Sequence, residues 1–305
     1  MGVAFISHYD CTRHEMGEHH PEDPKRLHAI NDRFVASGLD MVLYQFDAPL
    51  AEKKQLLLAH DADYVESVFQ SSPEEGLAWL DGDTAMNKHT LQAALRSVGG
   101  AMLGVDLLME GKVKQVFCAT RPPGHHAERH RAMGFCFFNN IAIAAYHAIE
   151  VHGLQRVAIV DFDVHHGNGT EDIVSGDERI LFCSSFQHPY YPGSGADTDV
   201  PNIVNVPLPK LTDGAGFREA MIDKVLPRIR EFEPELILIS AGFDAHRADD
   251  MAGLNLLEFD YAWMTKELLA IAERTAEGRI LSALEGGYEL HSLARSVEAH
   301  VKAFY

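Results

Sequence analysis

The segment spanning residues 156–170 constrains this chain more than any other. Its apolar residues Val157, Ala158, Ile159 and Val160 run directly into Asp161, Phe162, Asp163, Val164, His165, His166, Gly167, Asn168 and Gly169. A short unbroken apolar run marks a strand buried on both faces, as in a parallel sheet covered by helices. Open α/β sheets keep their chemistry at the carboxyl ends of such strands. Alternate residues of an extended segment share a face, so the spacing predicts that Asp161, Asp163 and His165 project to one side. Two carboxylates and an imidazole gathered in a buried place call for a cation to neutralise them. A single aspartate after a strand is commonly a helix cap, but four ionisable groups within residues 161–166 exceed what a cap requires.

The same pattern recurs. Strand-like runs at 3–7, 41–46, 113–120, 157–160, 180–184, 236–241 and 280–284 alternate with helical patterns at 24–37, 61–69, 90–109, 139–152, 216–232 and 257–276. Gly38, Gly111 and Gly153 stand where three of those helices should stop. Strand and helix taking turns predict a three-layer α/β architecture, with a mainly parallel central sheet and helices on both faces. The 305 residues are 46% apolar and hold no linker-like or low-complexity tract, so one domain over 1–305 is expected. Reactive side chains follow several strands: His125 and His126, the 161–165 run, the 184–191 segment, Asp244 with His246, and 285–288. A parallel sheet would bring them all to one rim.

A net charge of −19 argues against general nucleic-acid binding, which needs concentrated lysine and arginine, and tilts the expected partner toward a cation. Cys11, Cys118, Cys136 and Cys183 are widely spaced, and the two within strand-like runs should pack as reduced thiols. No secretory leader pattern and no apolar run of bilayer length occurs, so a cytoplasmic protein without membrane contact is expected.

The run 236–244 repeats the logic of a buried strand delivering an acid, and Asp244 joins Asp163 and His165 as a third candidate ligand. Three protein ligands leave a fourth position open, the arrangement of a catalytic zinc site. The tandem histidines of Pro122-Pro123-Gly124-His125-His126 cannot share one helix or strand face, so a rigid turn should aim both at one place, where imidazoles move protons. Glu285-Gly286-Gly287-Tyr288 sets a phenol on a glycine turn, able to donate to a developing oxyanion. Phe135 within 134–138 and Tyr190 with Tyr191 offer facing rings for a narrow slot, although core packing would use the same residues. The acidic stretch 71–88, with Glu74, Glu75, Asp81, Asp83 and Trp79, reads as a pocket rim or as a solvated loop anchored by its tryptophan. His14, His19 and His20 lie in a polar loop, where solvated histidines outnumber ligands.

Taken together, Arg121-Pro-Pro-Gly-His-His126, the 134–139 segment, the 161–169 run, Ala241-Gly-Phe-Asp244 and Leu284-Glu-Gly-Gly-Tyr288 resemble the zinc-dependent deacetylases of the arginase–deacetylase fold, including class II histone deacetylases and bacterial acetylpolyamine amidohydrolases. His20-Pro-Glu22 through Arg26 resembles the class II opening, so the likeness covers nearly the whole chain. The resemblance implies Zn(II), or Fe(II), on Asp163, His165 and Asp244, and a potassium ion near the backbone of 161–165. It implies His126 as general base and then acid, His125 as its electrostatic support oriented by Asp161, and Tyr288 as oxyanion donor. Phe135 and Tyr191 would line the slot, and the Gly134 carbonyl would accept the scissile amide hydrogen. Asn168 stands behind His126 where class I enzymes carry an aspartate, as in class II. Met251 occupies the place of the glutamate gate of the polyamine-selective branch, so cation selectivity would have to come from Glu74, Glu75, Asp81 or Asp83. The expected activity is removal of acetyl groups from small cationic amines, preferably acetylpolyamines or acetylated diamines, by a homodimer; protein acetyllysine is the nearest alternative. A two-manganese ureohydrolase would want an aspartate where His246 stands, and a noncatalytic acetyl-amine reader would have no need for the tandem histidines and Tyr288 together.

Overall fold

The computed structural model of the protein describes residues 2–305. Among these residues ten strands form: β1 Val3–Ser7, β2 Tyr44–Asp47, β3 Ala78–Trp79, β4 Ala85–Met86, β5 Gln115–Cys118, β6 Val157–Asp161, β7 Ile180–Gln187, β8 Ile203–Leu208, β9 Leu236–Ala241 and β10 Ile280–Leu284. Eight of them make one sheet in the order β2-β1-β5-β10-β9-β6-β7-β8, parallel at every pairing, and β3 and β4 make a separate antiparallel hairpin. The helices are α1 Lys25–Ser37, α2 Lys53–Leu56, α3 Ala62–Gln70, α4 Thr90–Met109, α5 Asn140–Glu150, α6 Asn168–Val174, α7 Gly214–Ala220, α8 Leu226–Phe232, α9 Glu258–Thr275 and α10 Leu290–Lys302.

Two apolar layers sandwich the sheet, and strand alternation assigns side chains to them. On β9, Ile237, Ile239 and Ala241 enter the layer built with α1, α9 and α10, whereas Leu236 and Leu238 enter the layer built with α4 and α5. On β6, Ala158 and Val160 face the first layer and Val157 and Ile159 the second. Burial on both faces is why these strands carry no polar alternation. The expected three-layer parallel architecture is therefore the observed one.

Several boundaries differ from the sequence expectation, each for a local reason. The 41–46 strand begins only at Tyr44, because the left-handed Gly38 (φ 72°) leads into a 3₁₀ turn over Leu39–Met41. The 180–184 strand runs on to Gln187, and β8, diluted by Asn205 and Pro207, is an additional edge strand. The helix expected from 216 starts at Gly214, where Asp213 accepts from the N–H groups of Ala215 and Gly216. It passes through a π-turn at Met221–Val225 just before Pro227, a residue with no N–H to give. Helices α2, α6 and α10 and the β3–β4 hairpin are elements additional to those expected; α10 carries a clear amphipathic pattern in Leu293, Val297 and Val301. All four cysteines are buried free thiols, and among the described residues no helix is long and apolar enough to cross a membrane.

Strands β5, β10, β9 and β6 are consecutive neighbours, so the segments that follow them meet at the centre of one rim. A buried charge network braces that rim from behind. Glu22 receives Arg26 at 3.0 Å and also pairs with Arg121, all three side chains being inaccessible to solvent. Arg26 further donates to the carbonyls of Glu285 and Gly287, and Arg121 to those of Cys11 and His14. Two guanidiniums hold the Glu22 carboxyl well below its usual range against the opposing effect of burial. Removing one member strands charges that water cannot reach. Glu22→Ala is expected to cost about 3–5 kcal/mol of unfolding free energy, read as a lower denaturant midpoint with an unchanged slope.

Candidate active site

The reactive run after β6 does not continue as a strand. Extended backbone stops at Asp161, and the chain folds over its own side chains: Asp163 N–H donates to Asp161 Oδ1 at 3.0 Å and His165 N–H donates to Asp163 Oδ1 at 2.9 Å. These side-chain-to-backbone turns, rather than strand alternation, aim the residues. Asp161 turns toward the tandem histidines, while Asp163 and His165 meet Asp244 from the end of β9.

One donor atom from each of Asp163, His165 and Asp244 lies within 4.8 Å of the others, and all three residues are buried. Asp244 Oδ1 accepts from Val164 N–H at 3.0 Å, whereas its Oδ2 is buried without a hydrogen-bond donor, 3.2 Å from His165 Nδ1. The cradle tolerates no side chain at two neighbouring positions. A Cβ on Gly286 would stand 2.1 Å from Asp244 Oδ2 and 2.6 Å from Asp163 Oδ2, and one on Gly242 would stand 2.0 Å from Asp163 Oδ2. Protons compete for this cluster: burial and the neighbouring Asp163 push Asp244 up to about 6, and the two carboxylates lift His165 to about 10 against the effect of burial. Two carboxylates and one imidazole with an unsatisfied buried oxygen fit a divalent cation.

The turn after β5 places both histidines beside this cluster, with ring centroids 4.0 Å apart. His125 Nδ1 bonds Asp161 Oδ2 at 2.9 Å, and His125 is held near 10 because Asp161, Asp163 and Glu285 outweigh burial. His126 differs sharply. Its Nδ1 bonds Asn168 Oδ1 at 2.7 Å, and the Asn168 amide donates to Glu128 Oε1 at 2.8 Å, which turns the amide oxygen toward the ring. The neutral imidazole therefore carries its proton on Nδ1 and leaves Nε2 as a base. Burial and the charges of His125 and His165 hold His126 well below its usual value.

Tyr288 closes the site after β10. Its N–H donates to Asp249 Oδ2 at 2.6 Å, its ring lies 5.0 Å from the Arg26 guanidinium, and it meets Phe135 edge-on at 6.0 Å. Burial and the nearby Asp244 raise the phenol well above its usual range, so it remains an O–H donor at neutral pH.

A cavity of about 220 Å³ opens from these groups, walled by Phe135, Tyr190, Tyr191, Met251 and Asp83, with Gly134 at its side. Gly134 has a left-handed backbone (φ 56°), and a Cβ there would meet the His126 ring at 2.4 Å. Tyr191 stands edge-on to His126 at 5.2 Å, while Tyr190 stacks on His165 at 5.7 Å and donates its hydroxyl to the Met251 carbonyl. Of the acidic stretch 71–88 only Asp83 reaches this cavity. Glu74, Glu75 and Asp81 are exposed, and Trp79 is 56% exposed, so most of its surface faces solvent. Among the N-terminal histidines, His14 is buried against Glu22 and Thr90, His20 packs on Phe135 at 4.6 Å, and His19 is exposed. His246 faces Glu258 at 3.5 Å rather than the ligand cluster.

Two supporting groups have roles that the sequence pattern does not disclose. Glu285, pushed up to about 7 by burial, accepts from the N–H groups of Gly124 (2.7 Å) and His125 (3.2 Å) and from Ser240 Oγ (3.1 Å), tying the histidine turn to β9 and β10. Asp249 accepts from the N–H groups of both Tyr288 and Glu289. An acid directly before a glycine turn that must be buried is the available signal for Glu285; Asp249 looks like any loop aspartate.

Residues 20–304 match the histone deacetylase domain family. The chain is 34% identical over 301 residues to a "Probable deacetylase" of Archaeoglobus fulgidus, covering 95% of this chain and 82% of that protein. It is 36% identical over 318 residues to the polyamine deacetylase HDAC10 of Homo sapiens, covering 97% of this chain and 47% of that protein. The crystal structure of the HDA15 HD domain superposes with a TM-score of 0.93 at 32% identity, covering 100% of this chain and 89% of that one.

Two outcomes follow from this geometry. Glu285→Ala leaves two N–H groups unpaired under His125 and is expected to lower kcat by about 100-fold, whereas Glu285→Gln, which can give its oxygen to both N–H groups, should retain most of it; equal losses in both variants would contradict a positioning role. Asn168→Asp sets a carboxylate against His126 Nδ1 and favours the imidazolium. The acidic limb of the kcat/KM profile should therefore move to higher pH, and an unmoved limb would remove His126 from the role of base.

Proposed function

The chain belongs to the histone deacetylase domain family and is a deacetylase, a hydrolase; from that premise we propose that its substrates are acetylated polyamines or diamines, held with the acetyl group at the Asp163, His165 and Asp244 cluster. The family carries a catalytic metal, and these three residues would hold it as Zn(II), with Fe(II) a second occupant of the same donor set. When bound, the ion supplies Lewis acidity toward the acyl carbonyl and toward water. The residues do the rest. His126 Nε2 takes the proton of the attacking water and returns it to the departing amine, a task suited to an imidazole that starts neutral. His125, already cationic beside Asp161, offsets developing negative charge, and Tyr288 O–H donates to the oxyanion. Phe135 and Tyr191 hold the alkyl chain and exclude water, while the Gly134 carbonyl accepts the hydrogen of the scissile amide.

The observation that carries the polyamine reading is Asp83. Its carboxylate stands in the cavity wall, Oδ1 receives Gly134 N–H and Thr84 Oγ1–H, and among the described residues no lysine or arginine pairs with it. A substrate ammonium is the partner it lacks, which accords with the net charge of −19 and with the likeness to the human polyamine deacetylase. Met251 favours the second reading, protein acetyllysine, because an apolar residue at the mouth contributes no charge to select a free amine. A homodimer, a structural potassium ion near the 161–165 backbone and a cytoplasmic setting belong to the same proposal; the four free thiols accord with the last. The decisive comparison is kcat/KM for N-acetylputrescine or N-acetylcadaverine against an acetyllysine peptide. The diamines should be preferred, and Asp83→Asn should lower their kcat/KM by about tenfold or more while changing the peptide less. Efficient peptide hydrolysis with negligible diamine turnover overturns the preference.

A further inference from the structure

We propose that Asp106, His147 and His152 form a second metal site, separate from the catalytic cluster and suited to a late first-row divalent ion such as Zn(II). Asp106 lies in the last turn of α4, His147 in the last turn of α5, and His152 just beyond the end of α5, before the left-handed Gly153 (φ 73°). His147 Nε2 and His152 Nε2 each approach the same oxygen, Asp106 Oδ1, at 2.7 Å. One donor atom from each residue lies within 4.8 Å of the others, and the two rings stand nearly perpendicular (83°) with centroids 5.4 Å apart.

Ordinary hydrogen bonding does not require this convergence. A carboxylate has two oxygens, yet both imidazoles address one of them and Asp106 Oδ2 receives no donor among the described residues. Among the described residues the ion-pair partners of Asp106 are these two histidines, with no lysine or arginine. In tetrahedral zinc coordination neighbouring donor atoms stand roughly 3.3–3.4 Å apart, so side-chain shifts of under roughly 1 Å convert the hydrogen-bonded triad into a ligand set. Two imidazoles and a carboxylate suit zinc and its neighbours, not magnesium or calcium.

Placement strengthens the case. Helices α4 and α5 pack together and lead into the starts of β5 and β6, so their carboxyl ends lie at the amino edge of the sheet, opposite the rim that carries the active site. Two helix carboxyl ends, each the negative pole of its dipole, point at one place, an unfavourable setting for an aspartate and a favourable one for a cation. His147 is 7% exposed, a buried anchor, whereas the side chains of His152 (20%) and Asp106 (39%) reach solvent, giving the ion a way in and water a place in its coordination. Bound there, the ion would clamp the end of α5 to α4 directly ahead of the strand that delivers Asp161.

The test uses the full chain equilibrated by dialysis against a buffered excess of free Zn(II), with metal counted per chain and deacetylation assayed in parallel. The wild-type protein should hold two equivalents. His152→Gln, which keeps an N–H for Asp106 but is no zinc ligand, and Asp106→Asn, which still accepts both hydrogen bonds, should each hold one and keep turnover within about twofold. Added Zn(II) should raise the denaturation midpoint of the wild type by more than that of either variant, in which the catalytic cluster alone contributes. A single equivalent in the wild-type protein, or two retained in the variants, overturns the proposal, and either result leaves the catalytic reading to stand on its own activity assay.

Discussion

The mutual repulsion of two buried carboxylates organises this molecule. Asp163 and Asp244 arrive from different strands and share one enclosed space with His165, where like charges disfavour ionisation and the nearest water cannot screen them. Only a positive partner makes that arrangement tolerable, and the surrounding chain is shaped around the requirement. Glycine stands at 242 and 286 because any side chain would collide with the carboxylates, and the Gly286 N–H is spent on Asp163 Oδ2 at 2.8 Å. The close approach of these carboxylates thus dictates glycine just past the ends of both β9 and β10.

Behind the cluster, the same logic is repeated with fixed charges. Glu22, Arg26 and Arg121 neutralise one another without solvent, and their remaining donors grip carbonyls on either side of the site. Arg26 reaches the turn carrying Tyr288, and Arg121 begins the turn carrying the tandem histidines. The residues proposed for proton transfer and oxyanion stabilisation are therefore held on one electrostatic frame, although they lie more than 160 positions apart in the chain.

How much of this is legible in the amino acids depends on the kind of force involved. Strands β6, β9 and β10 are legible because burial on both faces makes them apolar but for one residue each, and α4 because its length and small side chains match a helix packed on a sheet. The candidate ligands are legible because an acid directly after such a strand is seldom buried without either a helix to cap or a cation to hold. What stays hidden is geometry set by side-chain-to-backbone bonds. Asp161, Asp163 and His165 are expected along one extended face, yet turns closed by Asp161 and Asp163 aim them in two directions. Composition likewise makes Glu74, Glu75 and Asp81 equals of Asp83, while the β3–β4 hairpin turns only Asp83 into the cavity. Edge strand β8 is masked by Asn205 and Pro207, and the grip of Glu285 on the histidine turn depends on a partner 161 positions away, which no local pattern records.

The floor and the walls of the cavity have different origins. Its floor comes from the ends of four adjacent strands locked into a core, whereas Asp83, Phe135, Tyr190, Tyr191 and Met251 come from four loops, joined to one another by few bonds such as Tyr190 hydroxyl to the Met251 carbonyl. Such a division decouples evolvability from integrity. Phe135, Tyr190 and Tyr191 also pack on Tyr288, His165 and His126, whereas Met251 is bonded to the wall through its backbone carbonyl. Its side chain can be exchanged to admit a longer chain or a neutral amine without disturbing the reacting centre, so substrate scope is free to drift there while the bond being broken stays the same.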